Sequence, residues 1–519
     1  MKRNITYLIS IVVSLTMLLS SCELQRTPKD SLSAEQSLND FADAQAWNAG
    51  FLSGLRTITR GANDMLQDVQ ADQLNPSITY GNYMSGAYNW TSFSASDMHL
   101  SEVYSSYYER IRNINFALPK IEEVKITDKD PDMKAMNEHI LNGILGTAHF
   151  AKAYYYQNLA IRFGRPYKAA SADTDLCVPL IVESPGDPQP PRATNRQVYD
   201  QIFADIAQAK KYLANHPGMP MADEVTLDAV KALEARTYFY MEDYAKAYAT
   251  AKELTDAGTY LLSAPDPMSF MQMWQASSSS EEILQMSIER TTETPDILNY
   301  YGPVQAKEGV FLNQPDFLPT QWMVDLYSDK DLRKAVYFED QRFFYINMEY
   351  PVTVISKFKG DMVYAIHVGP EFEHWGGYFP TGESKPKIFR IAEMYLIVAE
   401  SAYETGNESD ALKYINALKV SRGLDEISLS GTALRDAIRE ERTRELAYEG
   451  FRLWDLRRWG LPVERHDVQK LPEGNSPFLA PVTTHTLSIP AGHDKFVWGI
   501  PQNDLNTNST IETQQNKGW

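Results

Sequence analysis

Two segments of the chain repeat one pattern of small and aromatic residues, and this repeat constrains the fold more than any other feature. The matching positions are Ala235 with Ala399, Phe239 with Tyr403, Glu242-Asp243 with Gly406-Asn407, and Ala247 with Ala411. Each segment predicts a helix, a tight turn and a second helix. The alanines let the two helices approach closely, and the aromatic residue four positions on packs into the same seam. The chain is therefore expected to contain helix pairs.

Helical periodicity extends beyond the repeat, for example over residues 37–58. The repeat resembles one tetratricopeptide unit, but no array of about 34-residue units joins the two copies. Residues 61–96 are dense in Asn, Ser, Gly and Tyr and predict a non-helical stretch. Residues 263–385 predict a loop-rich region, with a short strand within 277–295 and another within 484–490. We predict a mainly α fold: tetratricopeptide-like helix pairs form a scaffold, with the loop-rich region and a few short strands packed on it.

The N-terminus predicts export and a lipid anchor. Lys2 and Arg3 precede an apolar run over residues 5–19, which is too short for a comfortable transmembrane span. The sequence Leu-Ser-Ser-Cys then ends at Cys22 and resembles a bacterial lipobox; the alternative is an ordinary secretory signal that contains a cysteine. We predict a signal peptide over residues 1–21, a lipidated Cys22 and a tether over residues 22–36. The other cysteine, Cys177, stands between apolar residues and is predicted to be buried.

The stretch RELAYEGFRLWDLRRWG (residues 444–460) combines arginines with aromatic residues, as nucleic-acid binding sites also do. The whole chain, however, has 49 Lys and Arg against 68 Asp and Glu, and its formal charge of −19 opposes binding to phosphates. In and just before this stretch, an acid stands three residues before an arginine in three pairs: Glu441 and Arg444, Glu449 and Arg452, Asp455 and Arg458. Such pairs face each other on a helix. We predict that these charges stabilise the fold and that the protein does not bind nucleic acid.

This stretch and RIAEMYLIVAESAYETGN (residues 390–407) together closely resemble the C-terminal signature of the SusD/RagB family of Bacteroidota lipoproteins. The segments YYYQNLAIRFGRPY (154–167) and WGIPQNDLNTNS (498–509) are also of the family's type. The likeness covers nearly the whole mature chain. It is weakest over residues 61–96 and 289–386, where family members differ most and where ligands tend to lie.

The resemblance implies a lipoprotein at the outer face of the outer membrane. Such proteins bind oligosaccharides or polysaccharides and pass them to a partner SusC-like TonB-dependent transporter, and they are not enzymes. The alternative is a peptide-binding or purely structural partner of such a transporter. We predict one domain over residues 37–519, with an N-terminal helical part (37–262), a loop-rich part (263–385) and a C-terminal signature part (386–519).

A sugar site needs a flat aromatic face for one side of the ring, and amides or carboxylates for the hydroxyl groups. The segment of residues 68–90 supplies both. The predicted ligand-binding residues there are the aromatics Trp90, Tyr83 and Tyr88 and the polar residues Asp72, Asn75 and Asn89. A second predicted group consists of Tyr300, Tyr301, Trp375 and Tyr378. The alternative for each aromatic in the first group is that it fixes the loop to the helices.

The chain shows no strong motif for catalysis, metal binding or a cofactor. Residues 50–54 (GFLSG) place the serine one position late for a G-x-S-x-G nucleophile elbow. Glu373-His374 and His493-Asp494 have no partner at metal-ligand spacing. No Walker or dinucleotide-binding glycine pattern is present. We predict a binding protein without a cofactor, and we assign no metal-binding residue.

Overall fold

The fold is built mainly from helices, as predicted. The computed structural model describes residues 38–59, 62–78, 80–288, 301, 305–307, 310–312, 315–345, 348–360, 362–364, 378–380, 384–469 and 487–519. The first helices are α1 (Phe41–Ile58), α2 (Ala62–Gln70), α3 (Ser85–Asn89), α4 (Met98–Glu123), α5 (Pro131–Phe163), α6 (Asn195–Tyr212), α7 (Leu227–Tyr240) and α8 (Tyr244–Asp256). The later helices are α9 (Pro267–Gln275), α10 (Gln321–Asp325), α11 (Leu332–Tyr337), α12 (Ile391–Glu404), α13 (Glu408–Ser421), α14 (Gly431–Glu445), α15 (Arg452–Trp459) and α16 (Gln502–Thr507).

Local sequence signals begin several of these helices. At the start of α1 the Asp40 side chain accepts a hydrogen bond from the backbone N–H of Asp43 at 3.0 Å. At the start of α6, Thr194 and Gln197 form a reciprocal capping box. Each contact satisfies a backbone N–H that has no partner within its own helix.

The predicted repeat is confirmed as two helix pairs, α7–α8 and α12–α13. The turn of each pair contains a residue with positive φ, Glu242 at +60° and Gly406 at +82°. The next residue, Asp243 or Asn407, caps the second helix by accepting a backbone hydrogen bond at 3.4 or 3.2 Å. Helices α8 and α12 pack against each other. The two copies of the repeat are therefore neighbours in space.

The strands are short and form two-stranded pairs. They are β1 (Leu74–Pro76), β2 (Leu176–Pro179), β3 (Arg192–Thr194), β4 (Glu282–Gln285), β5 (Gln305–Lys307), β6 (Val310–Leu312), β7 (Phe317–Pro319), β8 (Phe338–Tyr345), β9 (Met348–Ile355), β10 (Met362–Tyr364), β11 (Tyr378–Pro380), β12 (Lys387–Arg390), β13 (Val463–Glu464) and β14 (Ser488–Ile489). The antiparallel pairs are β1–β7, β2–β3, β4–β12, β5–β6, β8–β9, β10–β11 and β13–β14. The two predicted strands are confirmed as β4 and β14.

One large hydrophobic core joins the helices with most of the strands, and a small second cluster around Phe343 and Val352 lies at the β8–β9 hairpin. Cys177 is fully buried, as predicted. Burial raises the pKa of its thiol to about 12, so the thiol stays protonated and unreactive. Within the part of the chain that the structure describes, no helix is long and apolar enough to cross a membrane.

The segment predicted to be non-helical, residues 61–96, contains α2 and α3, and most of its described residues are buried. Met65, Leu66 and Val69 on α2 are at most 1% exposed. Polar neighbours are buried with them because distant parts of the chain bind them: the backbone N–H of Gly450 donates to Asp68 at 3.0 Å. The prediction is wrong because polar residues can lie in buried helices when distant parts of the chain supply partners for them.

Candidate functional site

The arginine-rich stretch before and within α15 is an internal ion-pair network. Two of the three predicted pairs are confirmed: Arg444 contacts Glu441 at 2.7 Å, and Arg458 contacts Asp455 at 3.2 Å. These four side chains are at most 11% exposed. Each of these pairs lies within one helix, α14 or α15, and Arg442 joins the two helices by contacting Asp455 at 2.7 Å. The arginines of these pairs face acids inside the protein and do not form a basic face for phosphate.

The third predicted pair, between Glu449 and Arg452, is wrong. Arg452 instead binds Asp72 with two nitrogens, at 2.8 and 2.7 Å. Glu449 instead accepts from Lys357 and Arg390, each at 2.7 Å. Residues 446–450 form a turn rather than a helix, so the helical spacing on which the prediction rested does not apply there.

Glu445 is the centre of the network. Its carboxylate contacts Arg422 and Arg390 at 2.8 Å and Arg333 at 3.0 Å. Burial alone would raise its pKa, but the three guanidinium groups hold the pKa of Glu445 well below its usual value. The carboxylate therefore stays charged, and it ties α14 to residues from α11, β12 and the end of α13.

Trp90, predicted as an exposed sugar platform, is a core residue. Its side chain is 1% exposed, and its indole N–H donates to the Gln70 carbonyl at 2.8 Å. The ring lies edge-on to His493 and Phe496, at centroid distances of 5.6 and 5.1 Å. The expectation of exposure is wrong because residues from the C-terminal end of the chain cover the ring.

Asp72, Asn75 and Tyr88 come together, but inside the protein. The Tyr88 hydroxyl donates to Asn75 at 3.1 Å, and the Arg465 guanidinium lies 3.9 Å from the centre of the Tyr88 ring. All three predicted residues are at most 2% exposed. In this conformation they connect the 68–90 segment to Arg452 and Arg465 and present no face to a ligand.

The other predicted site residues differ in their placement. Tyr83 is half-buried with its ring edge-on to His99 at 4.6 Å, and Asn89 is half-buried at the end of α3. Tyr301 is 1% exposed and packs beside Phe358 and Tyr448. The backbone of Tyr378 pairs with Tyr364 between β11 and β10. The remaining predicted residues, Tyr300, Trp375 and the lipidation site Cys22, lie outside the described residues.

A surface groove brings together the residue types that a sugar site needs. It lies between α4, the loop of residues 181–187 and α16, and has a volume of about 410 Å³. Its walls include two tyrosines and four carboxylates: Tyr104, Tyr108, Glu109, Glu183, Asp187 and Asp504. We call it the α4 groove. Its volume falls within the range of small-molecule sites, roughly 300–1,000 Å³.

The α4 groove has fixed walls. The Tyr108 hydroxyl donates to the Pro179 carbonyl at 2.7 Å, and the Asn115 amide donates to the Ile181 carbonyl at 2.8 Å. Tyr104 and Tyr108 lie on successive turns of α4, and the centres of their rings are 4.8 Å apart. Burial raises the pKa of Asp504, which stands at the edge of the groove. The groove is thus preformed and can accept hydrogen bonds from several directions.

The sequence did not predict the α4 groove because its residues come from three distant segments. Two tyrosines four positions apart on a helix are typical of a core face, and the acidic residues of an exposed loop carry no motif. No group of three or more His, Cys, Asp or Glu side chains arranged to hold a metal occurs among the residues that the structure describes.

Helix pairs around one large core, with short strand pairs and an open groove at the surface, define a class of helical scaffold. A model of the SusD family matches residues 362–519, and a model described as "Starch-binding associating with outer membrane" matches residues 30–239. The chain belongs to the SusD/RagB family. The resemblance stated from the sequence is confirmed.

Similar proteins agree with this assignment. SusD-like protein P38 of Formosa agariphila is 22% identical, with 89% of this chain and 92% of that protein covered. A SusD superfamily protein from Bacteroides thetaiotaomicron has a similar structure (TM-score 0.73, 23% identity, 92% and 100% covered). So has a putative sugar-binding protein from Bacteroides vulgatus (TM-score 0.70, 21% identity, 93% and 99% covered). The predicted scaffold of tetratricopeptide-like helix pairs is the fold of this family.

Proposed function

We propose that this protein binds oligosaccharides or polysaccharides at the cell surface and delivers them to a SusC-like TonB-dependent transporter. The observation that carries the proposal is family membership at both ends of the chain, where one of the two matching families is described as starch-binding and associated with the outer membrane. The solved relative described as a putative sugar-binding protein supports it. The protein binds its glycan without cleaving it.

We place a sugar contact in the α4 groove. The half-buried ring of Tyr108 covers one apolar side of a sugar ring, and the rim carboxylates Glu183 and Asp187 accept hydrogen bonds from its hydroxyl groups. The aromatics Tyr300, Trp375 and Tyr378 remain a second predicted contact region.

A glycan-array screen of the soluble mature protein, run beside a peptide library, tests this function. We expect binding to one class of glycan, and chromatography of the released ligand should recover it intact. Binding to peptides alone, or recovery of shortened glycan, would contradict the proposal.

The membrane anchor is tested separately. In Cys22→Ala the acceptor of the lipid is lost, so the protein should leave the membrane fraction and fatty-acid labelling should disappear. We expect more than one acyl chain, because a single chain gives only marginal membrane binding. Labelling that persists in the variant would rule out Cys22 as the anchor.

A further inference from the structure

The walls of the α4 groove carry an excess of negative charge. Four of the lining residues are carboxylates, Glu109, Glu183, Asp187 and Asp504, whereas Arg112 is the only Lys or Arg among the described residues that line it. Asp504 is half-buried and the other four charged side chains are exposed. The charge of the whole chain, −19, has the same sign. A ligand in the groove is therefore surrounded by net negative charge.

The charges of the groove are not neutralised by the protein. In the part of the chain that the structure describes, no Lys, Arg or His nitrogen lies within 4 Å of any of the four carboxylates, and no carboxylate lies within 4 Å of Arg112. Asp187 accepts a single hydrogen bond, from the backbone N–H of Gln189 at 2.9 Å. These carboxylates are therefore free to act on a ligand.

Arg192 adds one positive charge on the inner side of the groove wall. It stands opposite Pro179 in the β2–β3 pair, and Pro179 accepts the hydrogen bond from Tyr108. The side chain of Arg192 is 6% exposed, and its guanidinium donates to the carbonyls of Cys177 and Leu176 at 2.7 and 3.2 Å. With Arg192 included, four carboxylates still stand against two guanidinium groups.

The walls are held close enough together for the carboxylates to act jointly. The chain that follows the loop of residues 181–187 is fixed to the end of α16, where the Asn508 amide donates to the Pro190 carbonyl at 2.8 Å. A compact space of about 410 Å³ is roughly 9 Å across, which is close to the Debye length of about 8 Å at physiological ionic strength. A charged group in the groove therefore interacts with all the walls without touching every carboxylate. Clefts lined by one sign of charge concentrate ligands of the opposite sign.

We propose that the α4 groove selects a glycan that carries protonated amino groups, an amino sugar without an acetyl group. The ring of Tyr108 covers the sugar, and the ammonium group lies in the negative field of the four carboxylates. A glycan with sulfate or uronate groups is repelled in the same place. This inference rests on the proposed glycan-binding function and names the class of glycan that the groove takes.

Calorimetry of the full mature protein with three trisaccharides of the same linkage tests the inference. They are built from glucosamine, glucose and glucuronic acid, so each sugar carries an ammonium group, no charge or a carboxylate. At about pH 6 the amine is protonated and ordinary carboxylates are ionised. We expect the glucosamine trisaccharide to bind at least about tenfold more tightly than the glucose trisaccharide, with an advantage that shrinks as salt is added. Equal or weaker binding of the glucosamine trisaccharide would overturn the proposal.

Two variants with opposite effects on the charge locate this preference in the groove. Glu109→Gln/Asp504→Asn removes two carboxylates and should lower the preference for glucosamine over glucose at least about fivefold. Arg112→Gln removes the exposed lining cation and should raise the preference. The control, Glu224→Gln/Glu426→Gln, removes two exposed carboxylates elsewhere and should leave the preference as in the wild type. The same preference in the wild type and all three variants would overturn the proposal.

The glycan-array screen separates a failure of this inference from a failure of the proposed function. Tight binding of a neutral or anionic glycan, with weaker binding of every amino sugar, would contradict the selection of amino groups and leave the glycan-binding function standing. Failure to bind any glycan would contradict both. Binding of amino sugars that responds to the groove variants in the expected directions supports both.

Discussion

The Arg452 side chain joins two distant parts of the chain, because two of its nitrogens bind the buried Asp72 carboxylate at 2.8 and 2.7 Å. Two neighbouring arginines pair with the acid three residues before them, as the helical rule predicts. Arg452 follows a turn and reaches Asp72, which is distant in sequence. The rule holds within each helix, and it fails across the turn of residues 446–450, where Tyr448 and Gly450 have φ of +63° and +78°.

Loss of Arg452 should therefore destabilise the protein strongly. In Arg452→Met the buried Asp72 carboxylate is left without a partner, and we expect a loss of about 3–5 kcal/mol in the free energy of unfolding. Arg435→Met, which removes an exposed pair with Asp436, should cost only about 0–1 kcal/mol. Denaturant unfolding of both variants measures the difference. Equal losses would show that the Asp72 contact contributes little.

Trp90 should matter for stability rather than for ligand contact. Because the ring is fully buried, Trp90→Ala leaves a core cavity and should cost about 3–5 kcal/mol. The fraction that remains folded should bind glycan with nearly unchanged affinity. Calorimetry beside circular dichroism separates the two effects. A variant with wild-type stability and no glycan binding would restore the original sequence-based role of Trp90.

Asp64 should make stability depend on pH. Burial raises the pKa of Asp64 from 3.8 to about 7. The positive charges of Arg162 and Lys357 lower this pKa by less, and the negative charge of Glu449 raises it further. Its stabilising contribution is complete below about pH 4 and is lost as the pH rises to about 7, because only the unfolded chain ionises in that range. Asp64→Asn should thus gain stability relative to wild type across this window, measured by denaturant unfolding. If the difference in free energy of unfolding between Asp64→Asn and wild type did not change with pH, the raised pKa of Asp64 would be contradicted.

At the scale of elements, the sequence predicted the helix pairs, β4, β14 and the mainly α class. It missed α2, α3 and the β8–β9 hairpin. The repeat was predictable because its signal is local: alanine spacing, a turn residue and a cap within about twenty residues. Helix α2 depends on a partner far along the chain, Gly450, and a single sequence gives no indication of that contact.

Two glycine-to-alanine changes should have opposite effects. Gly50 lies within α1 with no atom near its missing side chain, so Gly50→Ala should stabilise the protein by about 0.5–1 kcal/mol. Gly406 is equally open but has φ of +82°, so Gly406→Ala should cost about 1–2 kcal/mol. Denaturant midpoints measure both. Effects of the same sign would show that backbone conformation does not decide the outcome.

At the scale of the whole molecule, family and scaffold were predictable, whereas the location of the site was not. The motifs that identify the family are internal, and their arginines pair with acids throughout the core. A loop rich in Tyr, Asn and Gly resembled a binding surface, yet Phe496 and Arg465 cover it from the other end of the chain. The α4 groove forms only when α4, residues 181–187 and α16 meet, and none of these segments indicates a site by itself.

The most direct test of the glycan-binding account is calorimetry with the glycan that the array screen returns. The double variant Glu183→Gln/Asp187→Asn removes two rim carboxylates of the α4 groove, and Glu224→Gln/Glu426→Gln removes two exposed carboxylates elsewhere. Hydrogen bonds to charged groups contribute roughly 1.5–3 kcal/mol each, so the groove variant should bind at least about tenfold more weakly. The control should bind like the wild type. Equal affinity of all three proteins would contradict a sugar contact in the groove, and failure of the wild type to bind any glycan would contradict the account as a whole.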